Sequence, residues 1–301
     1  DGIRDSSTSR GLGDVYKRQN IDTYMVGRTI GQHALPMTFG KKTSTWLAEN
    51  RRNIERLQAV ELKINQSAIL KGAVGTYLGL GEMAIETEEL MAKELGLSKP
   101  YIADWHGIRD VFAEYALTLA LISKSFGRIG DELTLLQMTE IGETLENLGF
   151  KAIGSSTMPH KKNPRGPGNL VNYSRVIPRY AEVILDDMIN SFERDQPRSD
   201  ASIRDISITS ESMIETAKKL FKELEVDKEI NIPDDSTAKI SSSSLFGGKF
   251  LEIVPGSSET FLKDKSVIYD TQTSLSFTDM IGKMIMSSGT VSYTHLRAHE
   301  T

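Results

Sequence analysis

Residues 154–164 (GSSTMPHKKNP) hold the side chains of this chain that are best suited to chemistry. Two adjacent hydroxyls, a cation and an amide stand together there, and such groups can move protons and hold a charged substrate. Pro159 and Pro164 each lack a backbone donor and fix φ, so the segment suits neither a helix nor a buried core. We therefore expect an exposed loop between rigid helices, which is the usual place for catalytic groups. A plain Ser/Gly/Pro linker would not need Met, Lys and Asn at fixed offsets after a serine pair.

This loop closely resembles the signature GSSxMPxKxNP of the fumarase/aspartase superfamily, in which it carries the catalytic base. The variant with Thr157 and His160 resembles the branch that contains adenylosuccinate lyases and 3-carboxymuconate cycloisomerases. Residues 27–40 (GRTIGQHALPMTFG) likewise resemble the family segment GRTxxQxAxPxTFG. Further similar stretches are Trp105-His106, Arg109-Asp110, 139–143 (TEIGE) and 193–195 (ERD). The resemblance covers about residues 20–229 and implies a mainly α fold, an elongated helical bundle of the fumarase/aspartase type that is truncated at its N-terminus.

The resemblance also implies roles for individual side chains. Elimination next to a carboxylate needs a base for a weakly acidic carbon-bound proton, and fixed positive groups for the dianionic aci-carboxylate that forms. Ser155 is then the base, and the loop N–H groups and Lys161 favour its ionised form. Lys161 and Asn163 match the pair that holds the substrate carboxylate. The other implied substrate-binding residues are Ser156, Met158, Thr29 and Gln32, with Thr76 as a weaker candidate.

Two departures from the family pattern concern proton transfer. Many members have His directly after GRT and Glu five residues beyond the signature Asn, whereas this chain has Ile30 and Gly168 there. Loss of both halves indicates a different protonation scheme, and cycloisomerase-like members similarly lack the pair. Residues 193–204, however, resemble the ERDxSHSSxER stretch of adenylosuccinate lyases with a slip of one residue. We favour a cycloisomerase-like enzyme, with adenylosuccinate lyase (C–N cleavage that releases fumarate in purine biosynthesis) as the alternative.

Long helices must position this loop. Residues 42–149 have a helical pattern, and within it eight apolar residues recur at steps of 3 or 4, as on one face of a long helix. These are Val111, Tyr115, Leu119, Ile122, Phe126, Ile129, Leu133 and Leu136. Residues 170–192 and 207–223 predict two more helices, and stripes on more than one face predict a bundle that associates with other subunits. The apolar face of the first comprises Val176, Ile177, Tyr180, Val183 and Ile184. The charge runs at 86–89 and 218–219 are interpreted as solvated helix faces.

The pattern changes near residues 227–230. Three short runs there, 237–240, 249–254 and 266–269, predict strands separated by Gly/Pro/Ser turns, and residue 276 begins a predicted helix. Residues 230–289 resemble the end of a mammalian-cell-entry (MCE) lipid-transport domain, a β-barrel of the cell envelope. Only the last part of such a barrel would be present, so its strand edges would lack partners. We therefore predict a chimera of a lyase fragment and an MCE fragment, the alternative being a divergent lyase C-terminus.

Composition limits the remaining classes. The net charge of −5 and pI of about 5.7 do not suggest a nucleic-acid partner. The absence of cysteine excludes disulfides and thiolate chemistry, and is consistent with a cytoplasmic lyase part. No apolar run reaches the roughly 18–20 residues of a membrane span. No histidine has metal-ligand spacing, so neither a metal nor a cofactor is predicted.

Residues 1–19 and 290–301 show no periodicity and resemble translated sequencing adapters, so we exclude them from fold reasoning. The predicted domains are then 20–229, the helical lyase part, and 230–289, the MCE-like part. The predicted function is β-elimination or cycloisomerisation of a small polycarboxylate by a homotetramer, although a chain that lacks the segment before GRT should be inactive by itself. The alternatives from other classes are an MCE-type lipid carrier and a non-catalytic scaffold with the lyase fold.

Overall fold

The computed structural model describes residues 19–148, 158, 161–227, 233–242, 249–262 and 266–272. Contacts within the chain divide it into two compact units, Asp1–Lys228 and Glu229–Thr301, which we call unit 1 and unit 2. Helices dominate the described part of unit 1, and three short strands make up the sheet of unit 2.

The helices of unit 1 confirm the predicted mainly α class, with corrected boundaries. They are α1 (Phe39–Ile64), α2 (Ala84–Glu94), α3 (Asp110–Leu136), α4 (Arg165–Asp186) and α5 (Asp200–Glu223). The helical pattern predicted for residues 42–149 is interrupted by turns and irregular backbone at 65–83 and 95–109. The helix predicted for 170–192 ends at Asp186. It begins earlier than predicted, at Arg165, because Pro167 lies in the first turn, where proline is tolerated. The helix predicted for 207–223 also begins earlier, at Asp200.

Helix α3 is the central element of unit 1, and its predicted apolar stripe is confirmed. Six of the eight stripe residues are buried, and Tyr115 and Phe126 pack against them from partly buried positions. Leu133 is completely buried. A fully buried leucine or isoleucine stabilises a fold by about 1.5–3 kcal/mol, so this stripe is a major source of the stability of the bundle.

Helix α4 packs closely along α3 but with a different face from the predicted one. Its buried residues step by 3 or 4 and include Leu170, Ser174, Ile177, Ala181 and Ile184, whereas Val183 is exposed. A methyl group on Gly127 of α3 would lie 2.3 Å from the Ser174 Cβ, and one on Gly130 would lie 2.5 Å from the Pro167 carbonyl oxygen. These two glycines therefore set how closely the helices approach.

Pro178 lies inside α4 and removes one hydrogen bond from the helix. Proline has no N–H, so the carbonyl of Ser174, four residues earlier, lacks its usual donor. Lys124 of α3 supplies a charged donor instead, with its Nζ 2.6 Å from the Ser174 carbonyl oxygen. The proline therefore leaves a free acceptor that ties the two helices together.

Two antiparallel ribbons complete unit 1. Strands β1 (Tyr24–Thr29) and β2 (Gln32–Thr38) form a hairpin that leads directly into α1. Strands β3 (Thr144–Glu146) and β4 (Leu224–Val226) pair with Glu146 opposite Leu224. The second ribbon joins the chain after α3 to the end of α5, and so brings Glu146 into the helical core.

Unit 2 contains a three-stranded sheet in the order β6-β5-β7. Strand β5 (Thr237–Ser242) pairs antiparallel with β6 (Lys249–Val254) and parallel with β7 (Asp270–Gln272). The strand predicted for 266–269 is wrong, because regular pairing begins only at Asp270. The helix predicted from residue 276 lies outside the described residues.

Candidate active site

The described part of the signature loop presents its polar groups outward. The Lys161 backbone N–H donates to the Met158 carbonyl at 3.0 Å, which closes a turn. Met158 and Lys161 are exposed and Asn163 is half-buried. Among the described residues no acidic side chain pairs with Lys161. Ser155 and Ser156 lie outside the described residues, and the roles predicted for them stay predictions.

A buried carboxylate fixes the point where this loop enters α4. Both Glu146 carboxylate oxygens accept the Gly166 N–H, each at 3.0 Å. Burial raises the pKa of Glu146, although the N–H groups of Gly166 and Arg165 act in the opposite direction. Gln137, directly after α3, accepts the Glu146 N–H at 3.0 Å and donates to the Lys162 carbonyl at 3.1 Å.

The hairpin lies at the same end of the bundle. Thr29 and Gln32 are paired at its tip, and both are exposed. Next to Thr29, the Arg28 guanidinium forms two hydrogen bonds of 2.9 and 3.0 Å with the Glu143 carboxylate. This pair attaches the hairpin just before β3, so both regions that carry the resemblance lie on the side of the bundle where α3 ends.

The two positions that lack the usual His and Glu are sterically open. Ile30 is fully exposed, at 101% of its reference area, and has a φ of 53° in the hairpin turn. A methyl group added to Gly168 would meet nothing within 4 Å. Packing therefore does not explain the absence of the larger side chains. A β-branched residue at positive φ is a strained exception to ordinary backbone geometry.

The opposite end of α3 contains a buried ion-pair network around Arg109. Its guanidinium lies 3.1 Å from an Asp187 carboxylate oxygen and 2.8 Å from one of Asp195. Asp187 also accepts the Ser199 hydroxyl at 2.6 Å. Burial alone would raise the pKa of Asp187, but the bonds from Ser199 and the Arg198 N–H, together with Arg109, hold that pKa below its usual range.

Trp105 and His106 lie beside this network. Their rings form an edge contact with centroids 4.5 Å apart, and Trp105 packs on Gly75, where a Cβ would come within 2.8 Å of the indole. Burial, followed by the charges of Arg194 and Arg109, lowers the pKa of His106. Thr76, the weaker candidate, is exposed on the loop that packs here. Its carbonyl accepts the Gly72 N–H at 2.7 Å.

One charged residue of helix α2 is buried. The prediction of a solvated helix face for residues 86–89 is wrong at Glu88, which is 2% exposed. Its carboxylate accepts the Lys71 ammonium at 2.8 Å, the Leu70 N–H at 2.8 Å and the Tyr77 hydroxyl at 2.5 Å. Burial and the bond to Glu88 raise the pKa of Tyr77 to about 12. Glu88 follows the apolar residues Met83 and Ala84, and this spacing is only a weak sign in the sequence that position 88 is buried.

We call the side with the hairpin, β3 and residues 161–166 the loop end, and the side with residues 105–110 and 187–199 the paired end. Helix α3 separates them by 27 residues, or about 40 Å at 1.5 Å per residue. Within one chain the structure therefore brings Thr29, Gln32, Lys161 and Asn163 to one end, and it leaves Thr76 and His106 at the other.

No group of three or more His, Asp or Glu side chains in the described part of the chain could hold a metal ion. None of the described helices is both long and apolar enough to cross a membrane.

A bundle of long helices that holds this loop at one end is the architecture expected of the fumarase/aspartase superfamily. The sequence profile of the family described as Lyase matches residues 15–178, and the chain belongs to that family. The comparisons do not support the predicted resemblance of residues 230–289 to an MCE domain, nor the chimera.

Three known proteins illustrate the similarity. The chain is 37% identical to the adenylosuccinate lyase of Pyrococcus abyssi over 213 residues, which cover 69% of this chain and 47% of that protein. It is 40% identical to the N-acetyl-S-(2-succino)cysteine lyase of Dickeya dadantii over 178 residues, 59% of this chain and 39% of the relative. The structure of the 3-carboxy-cis,cis-muconate lactonizing enzyme from Pseudomonas putida matches with a TM-score of 0.65 at 30% identity, over 74% of this chain and 50% of that one. The chain thus spans about half the length of the relatives it matches, or less.

Proposed function

We propose that this chain supplies the base loop of an enzyme that performs β-elimination or cycloisomerisation on a small polycarboxylate. The observation that carries this proposal is the loop end itself. There a lysine without an acidic partner among the described residues and a half-buried amide follow a serine pair, at a point fixed by Glu146 and Gln137. In addition, each of the three relatives is named for a substrate that carries more than one carboxylate.

In the elimination direction, the proposed reaction starts when the ionised Ser155 hydroxyl removes a proton from the carbon next to a carboxylate. The electron pair passes into that carboxylate, which becomes a dianion, and Lys161 and Asn163 stabilise its charge. The electron pair then returns and expels the leaving group on the adjacent carbon. Cyclisation runs the same steps in reverse, and the Ser155 hydroxyl then returns the proton to the carbon next to the carboxylate. Ser156 and Met158 line the loop in this proposal, and Thr29 and Gln32 contact the substrate from the hairpin.

Our preferred assignment is an enzyme similar to the 3-carboxymuconate cycloisomerases. The residues that favour adenylosuccinate cleavage lie at the paired end, where Ser199 is buried and donates to Asp187 and where Arg109 holds the Asp195 carboxylate. In this chain those groups bind one another, which supports the reading of this stretch as structural. Adenylosuccinate cleavage remains the second candidate because of the similarity to the Pyrococcus enzyme.

We also propose a homotetramer. Candidates at the loop end and at the paired end of one chain are about 40 Å apart along α3, so they could form one site only between copies. A non-catalytic scaffold would need neither assembly nor a lysine held at this position.

The test places residues 20–227 in the matching segment of the full-length Pyrococcus relative, because this chain spans about half of that protein. Light scattering first checks that the hybrid assembles. Fumarate release from adenylosuccinate and N-acetyl-S-(2-succino)cysteine, and cyclisation of 3-carboxy-cis,cis-muconate, are then measured. Ser155→Ala should lower kcat by at least about a thousandfold, on the scale of losing a catalytic base and its effects on charge development.

The adjacent lysines provide a matched control. Lys161→Met should abolish most activity, whereas Lys162→Met removes a neighbouring exposed charge at a variable position of the signature and should leave activity within about fivefold, less than 1 kcal/mol. Full activity in the Ser155→Ala hybrid, or equal losses for both lysine variants, would contradict the proposed function and favour the scaffold.

A further inference from the structure

The start of α4 lacks the usual helix cap. The first turn of a helix leaves four N–H groups without intrahelical partners, and Ser, Thr, Asp or Asn normally accepts one of them. Here the N-cap is Pro164, which has no side-chain acceptor. These donors follow the signature loop directly, so whatever accepts them also determines where the loop ends.

Glu146 supplies the missing acceptor from 20 residues earlier in the chain. It is 5% exposed, and both of its oxygens accept the Gly166 N–H. A carboxylate at this position is also favoured by the helix dipole. The space is made for it, because a methyl group on Gly166 would lie 2.5 Å from the Glu146 Oε1.

Gln137 makes a second attachment at Lys162, three residues before α4 begins. Its side-chain amide connects the Glu146 backbone N–H to the Lys162 carbonyl. The two attachments therefore hold Lys162 and Gly166, and Asn163 lies between them while Lys161 lies immediately before. Neither attachment uses the side chain of Lys162 or Gly166, because both are made to the backbone of the loop exit.

We propose that Glu146 and Gln137 are positioning residues that hold the exit of the signature loop, so that Lys161 and Asn163 keep a fixed orientation towards the substrate carboxylate. This inference rests on the proposed function for its catalytic meaning. The attachment itself is a property of the fold, and it can be measured without turnover.

Hydrogen exchange of the full chain, followed by mass spectrometry of peptides that span residues 161–170, tests the attachment. Glu146→Leu should accelerate exchange in this segment at least tenfold, because the Gly166 N–H loses its acceptor. Glu146→Gln keeps an acceptor oxygen and should restore protection to within threefold of the wild type. Glu225 lies in the paired strand β4, where its carboxylate accepts from the Asn147 amide. Glu225→Gln is therefore the control for Glu146→Gln and should have no effect on exchange in the segment.

If Glu146→Leu fails to fold, Gln137→Ala tests the same inference with a smaller expected acceleration of about threefold to fivefold. Unchanged exchange in the segment for whichever variant folds would overturn the proposal, as would equal acceleration in Glu225→Gln.

The hybrid enzyme separates the two proposals. Glu146→Leu should lower kcat 10-fold to 100-fold with KM changed less than threefold, and Glu146→Gln should recover most of the kcat. Faster exchange in Glu146→Leu together with an active Ser155→Ala hybrid would leave the attachment intact and defeat the proposed function. An inactive Ser155→Ala hybrid with unchanged exchange in Glu146→Leu would do the reverse.

Discussion

The two ends of unit 1 use charged residues in opposite ways. At the paired end, Arg109, Asp187 and Asp195 are arranged so that each charge has a partner within the chain. At the loop end, Lys161 is exposed without an acidic partner among the described residues, and the buried Glu146 binds backbone N–H groups instead of a cation. In this chain the charges of the paired end are therefore neutralised by one another, whereas the charge of Lys161 faces solvent.

The two buried carboxylates reflect this difference in their pKa values. Both are desolvated, which favours the neutral acid. For Asp187 the bonds from Ser199 and Arg198, with the Arg109 charge, outweigh desolvation and lower the pKa. For Glu146 no cation makes direct contact in the described structure, and desolvation raises the pKa.

The largest expected loss of stability comes from breaking the ion pairs of the paired end. Arg109→Met leaves Asp187 buried without its cation, and breaking a buried pair in this way costs about 3–5 kcal/mol. Urea unfolding should show this loss in the free energy of unfolding. Arg204→Met, which removes an exposed guanidinium, should change stability by less than about 0.5 kcal/mol. Similar losses in both variants would mean that the network is not the source of stability.

The next largest effect on stability distinguishes two glycines near the start of α4. Gly166→Ala would force the new methyl group against Glu146 and Leu220 and should destabilise unit 1 by about 1–3 kcal/mol. Gly168→Ala points into open space and should be neutral or stabilising by up to about 1 kcal/mol. Thermal unfolding of the pair measures the difference. Equal Tm shifts would remove the steric role assigned to Glu146.

A smaller effect concerns the hairpin tip. Ile30 and Gly31 both have positive φ, the geometry of a two-residue turn that Asn-Gly favours. Ile30→Asn should therefore stabilise the chain by about 1 kcal/mol, the order of the strain for an ordinary residue in this conformation. Ile21→Asn replaces another exposed isoleucine, one without positive φ, and should bring no such gain in urea unfolding. A gain in both variants would mean that it comes from removing an exposed apolar side chain and not from the turn.

The pH dependence should differ in sign between the two carboxylates. The raised pKa of Glu146 means that the folded state binds its proton more tightly, so stability falls as pH rises above about 4.5. The lowered pKa of Asp187 means that its contribution is present above about 3.8 and is lost as pH falls below that value. Unfolding curves are measured from pH 3 to 8. Glu146→Gln should lack the fall in stability at rising pH, and Asp187→Asn should lack the fall in stability at low pH. If both variants lost the same slope, the opposite assignment of the two groups would be wrong.

The helical part of the fold could be predicted because its signals are local. The 3–4 spacing of apolar residues from Val111 to Leu136 corresponds directly to the buried face of α3. The boundaries of α4 were harder to predict, since Gly166, Pro167 and Gly168 are poor helix formers in general. The acceptor of the Gly166 N–H is Glu146, which is remote in sequence.

The site was predicted less completely for the same reason. Lys161, Asn163, Thr29 and Gln32 could be selected from the resemblance to the family motifs, and the structure places them at one end of the bundle, while their roles stay predictions. Glu146, Gln137 and Glu88 were missed, because their importance comes from burial and from backbone donors that no sequence pattern displays. Such acceptors become visible only when the tertiary structure shows which N–H groups lack a helical partner.

The close approach of α3 and α4 at Gly127 and Gly130 has a consequence for mutational screens. A single added methyl group at either glycine would push α4 sideways or along its axis, and α4 begins at the signature loop. Variants at these positions should therefore be recovered as losses of the proposed activity although neither residue belongs to the signature loop. In functional maps of the sequence they would appear as remote sensitive positions.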